Sequence, residues 1–346
     1  MKQRTRATVS DVARMAGVAP MTVSRVLTGS ARVADATAAR VRKAVALLRY
    51  QPNELSQAFR WNRSNSIGLI VPNLVDRAIS MSAAAINEVA KMHNYTVNLA
   101  TSNNSPDTGN FQVKLMIQRG VEGIIIIPGK EDTHGVHYED IEKVPFVALL
   151  QPMLGLPADA VLAQERQGSR AAVEHLIGRG YRDIVFLSEP ASTHILKERL
   201  EGYRNAMLHA GLKPDECLLG DSQSMIEPFL KKHLEGRQPG ILAALSANEN
   251  TTLTAIRALR ALGKTKLPSL CLVGFDDFPA ADLLFPPVSI IRIPIVEMAS
   301  LAVNMLFGKI QHGELKSEGT VSLPVELIIR ETLALKPGAT RSASKR

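Results

Sequence analysis

From Ile67 onward the chain repeats one alternation, in which a short run of β-branched and aliphatic residues is followed by an amphipathic stretch and then by another run. The runs are IGLIVP, YTVNLAT, EGIIIIP, PFVALL, DIVFLS, ILAALS and LCLVGF. Each is close to continuously apolar, the pattern of a strand buried on both faces. The stretches between them, such as 169–179 and 250–262, carry apolar residues at helical spacing. Parallel neighbours need a crossover long enough to hold a helix, so this alternation predicts doubly wound parallel sheets. Roughly ten such units exceed one ordinary open sheet, which points to two α/β lobes.

The first fifth of the chain does not follow this pattern, and it also differs in charge. Residues 1–65 hold twelve Lys or Arg against three acids, whereas the remaining residues hold 29 basic and 30 acidic groups, so the whole excess behind the net charge of +8 lies at one end. Concentrated in so small a segment, it is the electrostatic footprint of a module that binds a polyanion. No apolar run approaches the ~20 residues of a membrane span, and the start Met1-Lys2-Gln3-Arg4 lacks the apolar core of a signal peptide. A cytoplasmic protein with no membrane contact is expected. Cys217 and Cys271 lie far apart without CxxC spacing and read as buried thiols.

Within the basic segment, Thr8 and Asp11 form a variant capping box ahead of Val9, Val12, Ala13 and Ala16 on one helical face. That helix ends near Gly17. Pro20 suits the first turn of a second helix, which buries Val23, Val26 and Leu27 and turns Thr22, Ser24 and Arg25 elsewhere. A third run, ATAARVRKAVALLRY, supplies Val41, Val45 and Leu48 to close a three-helix core. Two short helices about a glycine turn make a helix-turn-helix, whose second helix leaves a polar face free to enter a major groove.

These residues resemble a known family. VSDVARMAGVAPMTVSRVLTGSARVADATAARVRKAVALLRYQPN is similar to the N-terminal headpiece of the lactose-repressor and galactose-repressor (LacI/GalR) regulators, through DVA, AGV, TVSRVL and Y-x-PN at the family spacing. The likeness continues more loosely through SIGLIVPN, GVEGIIIIP, HLIGRGYRDIVFL, RLEGYRNAM, GFDDF and LPVELIIRET. It implies an all-α helix-turn-helix headpiece (1–52), a hinge helix and linker (53–65), and a two-lobed α/β core (66–336) resembling periplasmic sugar-binding proteins. The N-lobe is expected over about 66–163 and 294–322, the C-lobe over about 164–293 and 323–336, with a disordered tail at 337–346. A homodimer on a pseudo-palindromic double-stranded DNA operator is implied, controlled by a small effector (a sugar, sugar acid or related metabolite) and needing no cofactor.

By the resemblance, Pro20, Met21 and Arg25 occupy base-reading positions, with Thr22, Ser24 and Asn53 near phosphates. Arg25 can fork onto guanine O6 and N7, while Pro20 and Met21 suit apolar contact with thymine methyls. Asn53, Ser56 and Phe59 fall at hinge-helix positions, and Phe59 stands where a leucine commonly wedges into the minor groove. For the effector, Arg199, Asn248 and Asp276 match ligand-bonding positions, and a guanidinium, an amide and a carboxylate together satisfy several hydroxyls. Asn73, Asp76 and Arg77 follow the first strand at the carboxyl edge, where open α/β sheets bind ligands. The chain departs from the family in having Leu150 and Gln151 in place of a common aspartate, NEN in place of ND, and Arg77 where small or aromatic residues are frequent. These departures point toward an acidic or phosphorylated sugar-like effector.

The competing readings are a sugar-acting enzyme and a sugar-binding transport protein, since a two-lobed cleft suits all three. GxSxG, HExxH, GxGxxG and GxxxxGK[ST] are absent from the sequence, and His134 with His137 is the only metal-like pair. The sequence leaves the sign of any effector response open.

Overall fold

The computed structural model describes residues 7–28, 31–50, 64–129, 144–153, 156, 158–218, 223–235, 242–263, 270–313 and 319–334. The hinge positions Asn53, Ser56 and Phe59, the pair His134 and His137, and the tail from 337 lie outside them. The chain divides into two compact units, Met1–Asn65 and Ser66–Arg346.

In the first unit, helices α1 (Val9–Ala16), α2 (Pro20–Thr28) and α3 (Asp35–Leu48) enclose one small core. Thr8 caps α1 reciprocally: its hydroxyl accepts the Asp11 N–H at 3.3 Å, and the Asp11 carboxylate accepts the Thr8 N–H at 3.0 Å. Gly17 ends the helix in the left-handed region at φ 64°, which a glycine adopts without strain. Val12, Ala13, Ala16, Val23, Val41, Ala44 and Tyr50 are buried together, with Val9, Val26, Leu27, Val45 and Leu48 packed around them.

The second unit contains two six-stranded sheets. The first is built from β1 (Ser66–Val71), β2 (Thr96–Thr101), β3 (Ile124–Ile126), β4 (Phe146–Leu149), β5 (Asp159–Ala163) and β11 (Thr320–Leu323), in the order β11-β5-β4-β3-β1-β2 and parallel throughout. The second comprises β6 (Asp183–Leu187), β7 (Asp215–Cys217), β8 (Leu242–Ser246), β9 (Leu270–Phe275), β10 (Ser289–Arg292) and β12 (Glu326–Ile328), in the order β12-β10-β9-β8-β6-β7 with only β12 antiparallel. Helices α4 (Arg77–Met92), α5 (Pro106–Gln118) and α10 (Ile295–His312) pack with the first sheet. Helices α6 (Glu165–Gly178), α7 (His194–His209), α8 (Gln223–Leu234), α9 (Glu249–Ala261) and α11 (Glu331–Ala334) belong with the second. The chain passes between the sheets three times, after Ala163, after Arg292 and after Leu323.

Strands β1, β8 and β9 are buried at every residue. YTVNLAT departs from that expectation: as β2 it lies at the edge of its sheet with only β1 beside it, and half its residues are exposed. Two close approaches fix the packing. An added Cβ at Gly202 on α7 would lie 2.3 Å from the Arg166 carbonyl oxygen, so only glycine lets α6 and α7 meet there. In the first sheet, Lys309 of α10 is buried against Asp159 at 2.6 Å, while the other Asp159 oxygen accepts the Gly319 N–H at 2.8 Å ahead of β11. No helix among the described residues is long and apolar enough to cross a membrane.

Candidate functional site

Helix α2 presents its polar face outward above the buried Val23. Pro20 and Arg25 are exposed, Met21 is 59% exposed, and Thr22 and Ser24 are half-buried. Met21 therefore does not serve the three-helix core. Arg25 has no hydrogen bond or ion pair among the described residues, which leaves its guanidinium available to an outside acceptor.

In the second unit a cavity of about 180 Å³ is lined from both sheets. It is smaller than the roughly 300–1,000 Å³ of drug-sized sites, so it suits a small molecule. Each sheet reverses its strand order about its first strand, β1 in one and β6 in the other, and the cavity gathers the loops at the carboxyl ends of those strands. Asn73 and Asp76 come after β1, Gln151 after β4, Glu189 after β6, Asn248 after β8 and Asp276 after β9.

Several of these side chains divide between holding the backbone and facing the cavity. Asn73 Oδ1 accepts the Val75 and Asp76 N–H groups at 3.0 and 2.9 Å. Asp76 caps α4, its Oδ1 accepting from Ala78 at 2.8 Å and Ile79 at 3.3 Å. Asn248 caps α9 through the Thr251 N–H at 2.8 Å, and its Nδ2 donates to Glu189 Oε1 at 3.4 Å. One half of each group satisfies a helix N-terminus or turn, and that bond fixes where the other half points.

Arg199 on α7 is the buried centre. Its Nε donates to Glu165 Oε2 at 2.7 Å, one terminal nitrogen donates to the Ala247 carbonyl, and both terminal nitrogens reach the Asp276 carboxylate at 3.3 Å. The guanidinium lies 4.0 Å from the Phe275 ring centroid, within cation–π range. Burial opposes the Arg199 charge, yet Asp276 and Glu165 outweigh it and hold the group above its usual range. Burial pushes the Glu165 carboxyl up, with Arg199 opposing and Asp276 adding to the rise. Asp76 is raised first by desolvation in the cleft, against the Ile79 N–H, with Asp276 again adding. Asp276 and Leu150, both in the cavity wall, have φ of 67°; the conformation is tolerated by aspartate but is an outlier for leucine.

Asn73, Asp76, Arg199, Asn248 and Asp276 therefore line one cavity, and Arg77 does not. Its Nε instead donates to the Asp277 carbonyl at 3.3 Å, reaching from α4 to the loop after β9. The Asp277 carboxylate is held in turn by Arg292 at 2.8 Å and Arg330 at 3.3 Å, while Arg292 also meets Glu326 at 3.5 Å, placing two interlobe passages in the same network. Sequence reasoning missed Glu165 and Glu189. Both follow a strand end, the rule that picked out Asn73; for Glu165 the strand itself, β5, went unread. Among the described residues no group of three or more His, Cys, Asp or Glu is arranged to hold a metal ion.

Residues 8–53 match bacterial regulatory proteins of the lacI family, and residues 173–333 match the periplasmic binding protein-like domain. The chain is 28% identical over 333 residues to the HTH-type transcriptional regulator DegA of Bacillus subtilis (strain 168), covering 94% of this chain and 98% of that protein. It superposes on the crystal structure of the Lac repressor dimer bound to operator and the anti-inducer ONPF with a TM-score of 0.83 at 27% identity, over 95% of this chain and 99% of the other. A complex of the transcriptional regulator CelR with cellobiose aligns with a TM-score of 0.62 at 25% identity, over 94% of this chain and all of that one.

Proposed function

This chain belongs to the LacI/GalR family of DNA-binding transcriptional regulators, and from that premise we propose how its parts divide the work. Residues 1–52 form the DNA-reading headpiece, 53–65 the hinge, and 66–336 the effector-binding and dimerising core. Two copies bind a pseudo-palindromic operator as a repressor in the cytoplasm, with Arg25 forking onto a guanine and Met21 and Pro20 against thymine methyls. Thr22, Ser24 and Asn53 fix register on phosphates, and Ser56 with Phe59 enters the minor groove. A small sugar-like effector occupies the cleft of Asn73, Asp76, Arg199, Asn248 and Asp276, and the protein performs no catalytic step.

The observation that carries this reading is α2 itself, with Val23 sealed into the core while Met21 and Arg25 stand outside it, in the segment that holds all the chain's excess positive charge. Effector and DNA are linked through closure of the two lobes, and the coupling is reciprocal at about 1–3 kcal/mol. The test is selection of bound duplexes from a random pool by the full-length protein at two salt concentrations. An inverted repeat is expected, with affinity falling steeply as salt rises. Failure to recover any motif, with and without a panel of sugars, would overturn the reading.

A further inference from the structure

The chemical class of the effector can be argued from the cavity wall, an argument that rests on the reading of this cleft as the effector site. Asp76, Glu165, Glu189 and Asp276 line it together with Arg199, so among the described lining residues four carboxylates stand with one guanidinium. Four of the five Arg199 N–H groups are already committed, to Glu165, the Ala247 carbonyl and twice to Asp276. A ligand carboxylate or phosphate would find one remaining N–H, on an arginine whose charge is matched, and would lie among fixed negative charges.

Open acceptors, in contrast, are plentiful. Asp76 uses Oδ1 for the start of α4, and its Oδ2 takes no hydrogen bond among the described residues. Glu165 gives Oε2 to Arg199, and its Oε1 likewise takes none, although the side chain is only 6% exposed and lies in the cavity wall. A carboxylate oxygen so placed opens onto the cleft and can accept from a donor on the occupant. Gln151 adds to the same imbalance: its Nε2 is held by the Pro128 carbonyl at 2.8 Å, which leaves the amide oxygen as a further acceptor. Leu150 and Gln151 bring no charge to this wall, and Glu165, which arrives from the end of β5, does.

We propose that the effector is a small hydroxylated cation, a sugar or polyol bearing a protonated amine, with its ammonium on the side of the cleft formed by Asp76, Glu165 and Asp276. Carboxylates crowded in one wall disfavour each other's ionisation, and Asp276 adds to the upward push that burial gives both Asp76 and Glu165. A cation relieves that crowding, and its charge-assisted bonds are stronger than those of a neutral hydroxyl. The charge balance thereby runs against the acidic or phosphorylated effector that the departures from the family pattern suggested.

The experiment is titration calorimetry of the full-length protein with matched sets on one carbon skeleton: glucosamine, glucose, glucuronate and glucose 6-phosphate; galactosamine, galactose and galacturonate; and 1-amino-1-deoxysorbitol, sorbitol and gluconate. In each set that binds, the amine is expected to exceed its hydroxyl twin by about tenfold, or 1.4 kcal/mol, with no binding of the anions. Glu165→Gln and, independently, Asp76→Asn are expected to bring the amine toward its twin's affinity. Asp76→Asn guards against a folding defect, since an amide caps a helix as well as a carboxylate. A neutral or anionic member that binds as tightly as the amine would overturn the proposal and leave the cleft reading standing. No binding by any member, from protein that still selects its operator, would overturn both.

Discussion

Arg25 and Arg199 are the same side chain put to opposite uses. Arg25 stands on the exposed face of α2 with no partner among the described residues, while Arg199 is on the buried face of α7 with two carboxylates, a carbonyl and an aromatic ring around it. An arginine can read a base or bind an anion only to the extent that the protein has not already matched its charge. The headpiece keeps its positive charge open to an outside polyanion. The core satisfies its own arginine and presents carboxylates to whatever enters the cleft.

The comparison is broken most directly at Arg199. Arg199→Ala leaves Glu165, with 6% of its side chain exposed, without its counter-ion, and removing one partner of a buried pair costs about 3–5 kcal/mol. Urea unfolding of the full-length protein should show that loss, and Arg199→Met combined with Glu165→Gln should recover part of it, because neither charge then stays buried alone. A loss under about 1 kcal/mol would mean that the pair behaves like a surface ion pair. Arg25→Ala is expected to act on a different quantity. Affinity for the selected duplex should fall by about 1–3 kcal/mol with discrimination lost at one guanine, while the unfolding curve stays in place. If the unfolding curve moves instead, Arg25 belongs to the fold and the contrast between the two arginines fails.

A smaller effect is expected at the cap of α1. Thr8→Ala removes the hydroxyl that accepts the Asp11 N–H and ends the reciprocal bond, at a cost of about 1 kcal/mol. Because α1 packs on α3 and encloses the core beneath α2, operator affinity should weaken with it in thermal and binding assays, and Thr8→Ser should restore both.

Legibility followed the same division. The headpiece is made of local contacts, so a capping box, a glycine turn and a three-four spacing specify it residue by residue. In the core all seven apolar runs form strands, six of them because parallel strands buried on both faces advertise themselves and YTVNLAT as a half-exposed edge strand. Strands β11 and β12 hold no buried residue and leave no such run, while β5, β7 and β10 carry charged residues within three to five positions; their identity depends on which neighbour they join. The cleft inherits that limit. Asn73 and Asp76 follow a conspicuous strand, whereas Glu165 follows an inconspicuous one and meets Arg199 across 34 residues of chain, a juxtaposition that no local spacing encodes. Arg77 illustrates the reverse, since its position after β1 suggested the cleft while its long side chain carries the guanidinium to Asp277.

The smallest predicted effect tests the excess of carboxylates in the cleft without any ligand. Asp76 has its pKa raised above the ordinary 3.8 by desolvation, with Asp276 adding to it. As pH rises from that ordinary value toward the raised one, the unfolded chain gives up its proton before the folded one does. Stability contributed by this group therefore falls across the window, and the full cost of the charge is present above it. Asp76→Asn keeps a side-chain oxygen to cap α4 and removes the titration. The variant should accordingly melt slightly higher than the parent at neutral pH, with the difference shrinking as pH falls through the raised value and vanishing below the ordinary one. A variant less stable than the parent at neutral pH would mean that the carboxylate is favoured by the N-terminus of α4 more than it is disfavoured by its neighbours. The cleft would then lack the unmatched negative charge that separates it from the headpiece.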